Sequence, residues 1–320
     1  MDSPNALDRR FRSVVVLLAI LGVSLVGRQH PLAFAASHTQ IVLLGTGTPT
    51  ADPDKSGPAT AIVVNDTPYI VDFGAGVVRR AKAAVLDRGI TALEPTNLRV
   101  VFATHLHSDH TVGYPDLILT PWARGRRIPL EVYGPKGIKA MTEHLLEAYR
   151  VDIETRLKTG TQSSIPDGYK VNAHEIGSGI IYKDANVTVT AFPTKHAMES
   201  YGYRFDTPDR SIVISGDTNP TQATIDACHG CDVLIHEVQT LESLAKRPDF
   251  QDFAAHYHTT TAQLAQLATE AKPRLLVLYH HSIALRPGVN PQLSSSEELL
   301  REMTAHYSGH VVVGRDLDVY

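Results

Sequence analysis

The chain has 320 residues, of which 43% are hydrophobic and 20% are charged, and this balance is ordinary for a globular protein with a full core. Its formal net charge of −4 lacks the basic excess that marks nucleic-acid-binding domains. Composition therefore argues against a surface that binds polyanions.

The first 36 residues have the pattern of a secretory signal peptide. Three arginines precede the uncharged run Val14–Gly27, and Ala33-Phe34-Ala35 supplies small residues two apart. The run is shorter than the roughly 20 residues of a membrane-spanning helix. We expect cleavage, a mature domain at 37–320, periplasmic or secreted localisation, and no stable membrane association afterwards; an uncleaved membrane anchor is the alternative.

Short apolar runs bounded by Gly and Pro predict β-strands through the first half of the chain. These runs are Gln40–Leu44, Thr60–Val64, Tyr69–Asp72, Leu98–Ala103 and Leu130–Tyr133. Helical spacing predicts helices at Val77–Leu86 and Gly137–Tyr149. Loops at 120–127, 155–167 and 241–255 are expected to shape the binding pocket.

The segment His105-Leu106-His107-Ser108-Asp109-His110 directly follows one of these predicted strands. It offers three imidazoles and a carboxylate within six residues. Neutral histidines suit zinc, and a carboxylate can hold a second ion or align an attacking water. One strand end cannot complete a metal site, so further ligands should come from distant loops.

The second half repeats the alternation of strands and helices. Strands are predicted at Val187–Ala191, Tyr201–Phe205, Ser211–Ile214, Asp232–His236, Arg274–Tyr279 and Val311–Val313, and helices at Pro220–Ala227, Thr260–Ala271 and Ser295–His306. Such an alternation in both halves predicts an α/β fold with two sheets packed face to face and helices outside.

Three further ligand candidates follow apolar runs in this half: His196, Asp217 and His280. If the strand ends converge on one rim, these side chains join the 105–110 segment in a pool of seven ligands.

Cys228 and Cys231 are the two cysteines of the chain. We favour a structural disulfide between them, with free thiols as the alternative.

Eight segments, in this order, resemble the metallo-β-lactamase superfamily, and most closely its ribonuclease Z and arylsulfatase-like branch. They are LLGTGTP (43–49), VDFGAG (71–76), HLHSDH (105–110), SYGYRF (200–205), SGDT (215–218), HEV (236–238), HTT (258–260) and LVLYHHS (276–282). The resemblance spans nearly everything after residue 38 and implies a four-layered αβ/βα sandwich with a metal cleft at one edge of the sheets.

The resemblance also implies two divalent metal ions, with zinc as the default and manganese or iron as alternatives. One ion would be held by His105, His107 and His196, the other by Asp109, His110 and His280. Asp217 would bridge them. His280 is favoured over His281 because the relatives carry a histidine at the first of these two positions.

Further roles are implied for three residues outside the ligand pool. Asp72 would accept a hydrogen bond from a ligand imidazole, or else be a turn aspartate. His258 would protonate the leaving group, with Glu237 orienting it, or else cap a helix; His256 is a weaker substitute. Asp109 would also take part in catalysis, in which a metal-activated hydroxide attacks the ester.

The bridging position holds Asp217 and not a cysteine, which favours hydrolysis of esters over that of β-lactams. His196 and Asp217 are 21 residues apart, too close for the long tRNA-gripping arm of ribonuclease Z. We therefore expect a hydrolase of small-molecule esters, aryl sulfates or phosphodiesters, with no nucleic-acid substrate. The alternatives are a ribonuclease Z-like phosphodiesterase, a lactonase or a non-catalytic metal-binding protein. The oligomeric state is left open, a homodimer included.

Overall fold

The computed structural model describes residues 39–284 and 293–320. The predicted signal peptide at 1–36 lies outside these residues. The first sheet contains β1 (Thr39–Gly45), β2 (Ala59–Val64), β3 (Thr67–Val71), β4 (Val100–Phe102), β5 (Leu130–Gly134) and β6 (Val171–Glu175), adjacent in that order. The pairs from β1 to β3 are antiparallel, and those from β3 to β6 are parallel.

The second sheet is built from the remaining strands. These are β7 (Gly179–Lys183), β8 (Thr188–Pro193), β9 (Tyr201–Asp206), β10 (Ser211–Ile214), β11 (Val233–Val238), β12 (Leu275–His281) and β13 (Val311–Val313). They also lie side by side in chain order. The pairs from β7 to β10 are antiparallel, and those from β10 to β13 are parallel.

Helices connect the strands. They are α1 (Val77–Arg88), α2 (Ser108–Thr111), α3 (Tyr114–Ala123), α4 (Ile138–Ala148), α5 (Arg150–Thr159), α6 (Gln222–Cys228), α7 (Leu241–Ala245), α8 (Pro248–Tyr257), α9 (Thr261–Ala271) and α10 (Ser296–Thr304). None of the helices within the described ranges has the length and apolar character needed to cross a membrane.

Strands β1 to β4 and β10 to β12 are largely buried on both faces, whereas β6, β7 and β13 are more exposed. In β1, Ile41 and Leu43 join a buried cluster shared by the two sheets, whereas Val42 and Leu44 pack with residues of α1 and α3. This alternation follows from the two-residue period of a strand, and burial on both faces explains why the runs are almost continuously apolar. A third cluster packs α6, α9 and α10 on the second sheet. The predicted four-layered sandwich is thus confirmed.

All three segments predicted as loops are at least partly helical. Helix α3 covers the first half of 120–127, α5 covers the start of 155–167, and α7 and α8 occupy nearly all of 241–255. The loop prediction at 241–255 failed because charged residues and Pro248 interrupt the apolar pattern.

The structural disulfide is present: Cys228 and Cys231 are bonded, with their Cα atoms 4.7 Å apart.

Candidate metal centre

The seven predicted ligand residues meet at one rim of the two sheets. The first sheet supplies four of them: His105 and His107 follow β4, and α2 carries Asp109 and His110. The second sheet supplies the other three: His196 follows β8, Asp217 follows β10, and His280 lies near the end of β12. Their ligand atoms form two groups, within each of which all atoms lie within 4.8 Å of one another.

The first group combines three imidazoles with one carboxylate. His107 Nδ1 lies 3.0 Å from His105 Nε2 and 3.0 Å from His196 Nε2. Asp217 Oδ2 lies 3.9 Å from the Nε2 atoms of His105 and His196. Three ring nitrogens and an oxygen therefore converge on one point, which is the donor number and type of a tetrahedral zinc site.

The second group lies beside the first. His280 Nε2 is 3.2 Å from both His110 Nε2 and Asp109 Oδ2. Asp217 Oδ1 lies 3.3 Å from His110 Nε2. The two oxygens of Asp217 therefore face different groups, as the predicted bridging position requires.

A β-bulge places His280. Tyr279 pairs with Glu237 and His281 pairs with Val238, so His280 is an extra residue in β12 with φ +45°. Bulges re-aim side chains next to functional sites. His281 instead has its Nε2 3.0 Å from the carbonyl oxygen of Gly314. Of the two adjacent histidines, the structure brings His280 into the cluster.

The donor set fits divalent cations. Asp217 Oδ1 and His280 Nδ1 are buried without a hydrogen-bond partner in the described part of the chain. Burial lowers the pKa of His105, and lowers that of His196 to about 4, which favours the neutral form that binds metals. Burial opposes the charged form of His110 as well, but Asp217 and Asp72 raise its pKa well above the usual value. The carboxylates thus favour positive charge at this point.

Asp72 connects two of the histidines. Its Oδ2 lies 2.9 Å from His110 Nδ1 and accepts a 2.9 Å hydrogen bond from the Thr104 hydroxyl, which lies 3.0 Å from His105 Nδ1. The Thr104 backbone N–H donates to Asp72 Oδ1 at 2.8 Å. Such contacts at Nδ1 leave the Nε2 atoms of both rings free to bind a metal. The predicted contact between Asp72 and a ligand imidazole is present.

We expect Asp72→Asn to weaken metal binding by roughly 10- to 100-fold, the usual cost of losing such an outer contact. Asp72 has φ +60°, and asparagine tolerates this left-handed conformation, so the variant removes the charge without straining the backbone. Chelator competition measures the affinity. The matched control is Asp66→Asn, at an exposed turn residue with φ +63°. Equal affinity of the Asp72 variant and the wild type would contradict the positioning role.

His258 and Glu237 form a buried pair next to the cluster. His258 Nδ1 lies 2.9 Å and 3.0 Å from the two Glu237 oxygens, and Glu237 Oε1 also accepts the Thr218 N–H at 2.8 Å. Burial opposes the charged imidazolium, but Glu237 outweighs it and raises the pKa of His258 to about 9. Glu237 therefore contacts His258 as its predicted orienting role requires. His258 is also the C-cap of α8, whereas Thr260 is the N-cap of α9. His256 is exposed and does not join the cluster.

A cleft of about 280 Å³ opens onto the cluster, and it is lined by His107, Asp109, Asp217, His258 and His280. Of the three segments expected to shape the pocket, only 241–255 lines this cleft among the described residues, and 120–127 and 155–167 do not. The lining residues of that segment were not predicted individually: Arg247 precedes α8, and Phe250 and Phe253 lie on that helix. Their spacing of three residues was the signal for a helical face.

The comparisons with known proteins agree with this geometry. Residues 68–281 match the model of the beta-lactamase superfamily domain. The chain is 32% identical over 286 residues to ribonuclease Z of Mycobacterium bovis (strain BCG / Pasteur 1173P2), which covers 87% of this chain and 96% of the relative. The chain belongs to the metallo-β-lactamase superfamily, in its ribonuclease Z branch. It is a metal-dependent hydrolase of this superfamily.

Solved structures of this superfamily share the fold. The metallo-β-lactamase fold protein YhfI of Bacillus subtilis superposes with a TM-score of 0.67 at 17% identity, covering 88% of this chain and 98% of the other. The short form of human tRNase Z gives 0.63 at 21% identity, with coverages of 88% and 98%.

The expectation that nucleic acid is not a substrate is wrong for this branch, because the relatives at 32% identity are named ribonucleases. Two physical reasons explain the error. Net charge averages over the whole surface, whereas metal ions bound in a cleft would make that cleft locally positive. The short connection from His196 to Asp217, which holds only β9 and β10, describes one surface segment and does not exclude RNA from the cleft.

Proposed function

We propose that this member of the superfamily is a phosphodiester hydrolase of the ribonuclease Z type, with RNA as its substrate class. The observation that carries the proposal is the position of Asp217, whose two oxygens face two adjacent groups of ligand atoms. A pair of metal ions held by these two adjacent groups would suit in-line displacement at phosphorus. The similarity to ribonuclease Z favours a phosphodiester over the aryl sulfate expected from the sequence.

The proposed ligand assignment follows the two groups. His105, His107 and His196 would hold one cation, and Asp109, His110 and His280 the other, with Asp217 shared. Zinc is the proposed metal because the donors are mainly imidazoles. When bound, a pair of divalent cations acidifies an attacking water and neutralises charge on the phosphate oxygens.

The side chains of the cleft complete the proposed reaction. Asp109 lines the cleft, where its carboxylate can accept a hydrogen bond from the attacking water. His258 also lines the cleft, and Glu237 holds its Nδ1. His258 Nε2 is therefore the atom that can donate a proton to the leaving oxygen, and Glu237 stabilises the imidazolium before this transfer.

The test uses the full chain loaded with zinc or manganese, and the chelated protein as the control. A precursor tRNA, bis(p-nitrophenyl) phosphate, p-nitrophenyl sulfate and a lactone are assayed side by side. We expect metal-dependent cleavage of the RNA and the phosphodiester, with slower or no turnover of the sulfate and the lactone.

Two results would overturn the proposal. Turnover of the sulfate or the lactone without turnover of either phosphodiester would assign a different ester class. Binding of two metal equivalents without turnover of any substrate would indicate a binding protein.

A further inference from the structure

Arg247 gives the cleft a positive charge of its own. It is the one arginine or lysine among the residues that line the cleft in the described part of the chain. Its Nε donates to the Ser243 carbonyl at 3.4 Å, and its Nη2 donates to the Gln239 side chain at 3.1 Å. Both acceptors are neutral, so these contacts hold the guanidinium without neutralising it.

The charge of Arg247 is also partly removed from water. The side chain is half-buried, burial lowers its pKa, and its guanidinium carbon lies 4.7 Å from the centre of the Phe250 ring. No ion pair of Arg247 with a carboxylate occurs within residues 39–284 and 293–320. A half-buried guanidinium that faces a cleft without a carboxylate partner is suited to an anion from outside the protein.

An aromatic surface adjoins this charge. Phe253 lies one turn after Phe250, with 5.7 Å between their ring centres, and lines the same cleft. Phe253 is 36% exposed and lies 5.5 Å from the His258 ring. An exposed aromatic ring beside a cation is the combination that binds a base next to its phosphate.

The end of α8 is fixed to the candidate metal centre. His196 Nδ1 lies 3.0 Å from the Tyr257 carbonyl oxygen, and the Asn219 side chain donates to the carbonyl oxygens of Ala255 and His258 at 2.9 Å and 3.0 Å. The helix that carries the aromatic rings is therefore held against two ligand-bearing loops. A group bound by these rings and Arg247 would lie at a set distance from the scissile bond.

We propose that Arg247 and Phe253 form a nucleotide subsite, in which Arg247 binds the phosphate next to the scissile one and Phe253 stacks on the base. This inference rests on the proposed function and names the substrate as an oligonucleotide segment with a second phosphate. The cations of the centre would neutralise the scissile phosphate, whereas a neighbouring phosphate needs a separate cation, which Arg247 supplies.

The test compares the dinucleotide UpU with its forms that carry an added 5′- or 3′-phosphate, all with the zinc-loaded full chain. We expect the wild type to have a lower KM for one of the phosphorylated forms. Arg247→Gln should raise that KM by roughly 10- to 100-fold more than it raises the KM for UpU, the range for a lost charged hydrogen bond. Arg247→Lys should be intermediate, because it keeps the charge but loses the planar fork.

The matched control is Lys246→Gln, which removes the same charge one residue away, where Lys246 pairs with Glu242 on the surface. It should leave all three KM values unchanged. Phe253→Ala should raise the KM for UpU by roughly tenfold or more, as expected for one lost stacking contact, and Phe253→Tyr should restore it.

The outcomes separate the two proposals. Two results would overturn the subsite while the phosphodiesterase activity stands. One is that Arg247→Gln raises the KM for UpU and for both phosphorylated forms by the same factor, and the other is that Arg247→Gln and Lys246→Gln change these KM values equally. Failure of the wild type to cleave any of these diesters or bis(p-nitrophenyl) phosphate would overturn the proposed function itself.

Discussion

Asp217→Ala is expected to lose bound metal and activity together. Asp217 is buried, and its two oxygens face both ligand groups, so its removal takes one donor from each. Metal ions contribute several kcal/mol to such reactions, and about 1.36 kcal/mol is a tenfold change in rate, so we expect a loss of roughly a thousandfold or more in kcat/KM. Metal content by elemental analysis and turnover of a phosphodiester are measured on the same sample.

The matched control is Asp226→Ala, at an exposed aspartate on α6 whose carboxylate accepts from Gln222. It should retain both metal equivalents and full activity. Retention of two metal equivalents by Asp217→Ala, with activity lost, would contradict the bridging assignment, because the carboxylate would then act on the reaction without holding the metals.

His258→Ala is expected to keep its metal and lose turnover. His258 belongs to neither ligand group, but it lines the cleft and its Nδ1 is held by Glu237. Loss of a general acid costs roughly 10²- to 10⁴-fold, and the cost falls on substrates whose leaving oxygen needs a proton. We therefore expect a large loss on RNA and a small loss on p-nitrophenyl diesters, whose leaving group departs as a stable anion.

The pH dependence provides a second measurement on the same pair. A proton donor acts in its protonated form, so activity is present below the pKa of His258 and is lost as the pH rises through it. Glu237 raises this pKa to about 9. At equal metal content, Glu237→Gln should move the alkaline limb of the RNA cleavage profile to lower pH.

The control for this pair is His256→Ala, which removes an exposed imidazole two residues away and should change neither the rate nor the pH profile. Equal losses by His258→Ala on RNA and on p-nitrophenyl diesters would rule out proton donation as its role.

The elements that the sequence predicts best are those that one local pattern determines. The strand Ser211–Ile214 was predicted with its observed bounds, because an apolar run between a charged turn and a glycine leaves few alternatives. The seven ligand candidates came from histidines and carboxylates at strand ends, and the structure brings all seven together. The division into two groups came from the resemblance, since spacing alone gave only a pool.

The rest depends on contacts between segments far apart in the chain. Strand β6 is partly exposed at the edge of its sheet and carries Asn172, His174 and Glu175, so its sequence lacks an apolar run. Thr104 connects Asp72 to His105 through a hydroxyl that no motif predicts. The cleft wall at Arg247 and Phe253 depends on how α8 lies against the second half, which local periodicity does not determine.

The origin of the seven side chains has a thermodynamic consequence. Four belong to the first sheet and three to the second, so an ion held by His107 and His196 would join segments separated by 89 residues. A ligand that binds only the folded state, at a hundredfold excess over its Kd, adds about 2.7 kcal/mol to the free energy of unfolding. Cations held here would cross-link the two sheets, so the melting temperature of this hydrolase would vary with the metal supply of its surroundings.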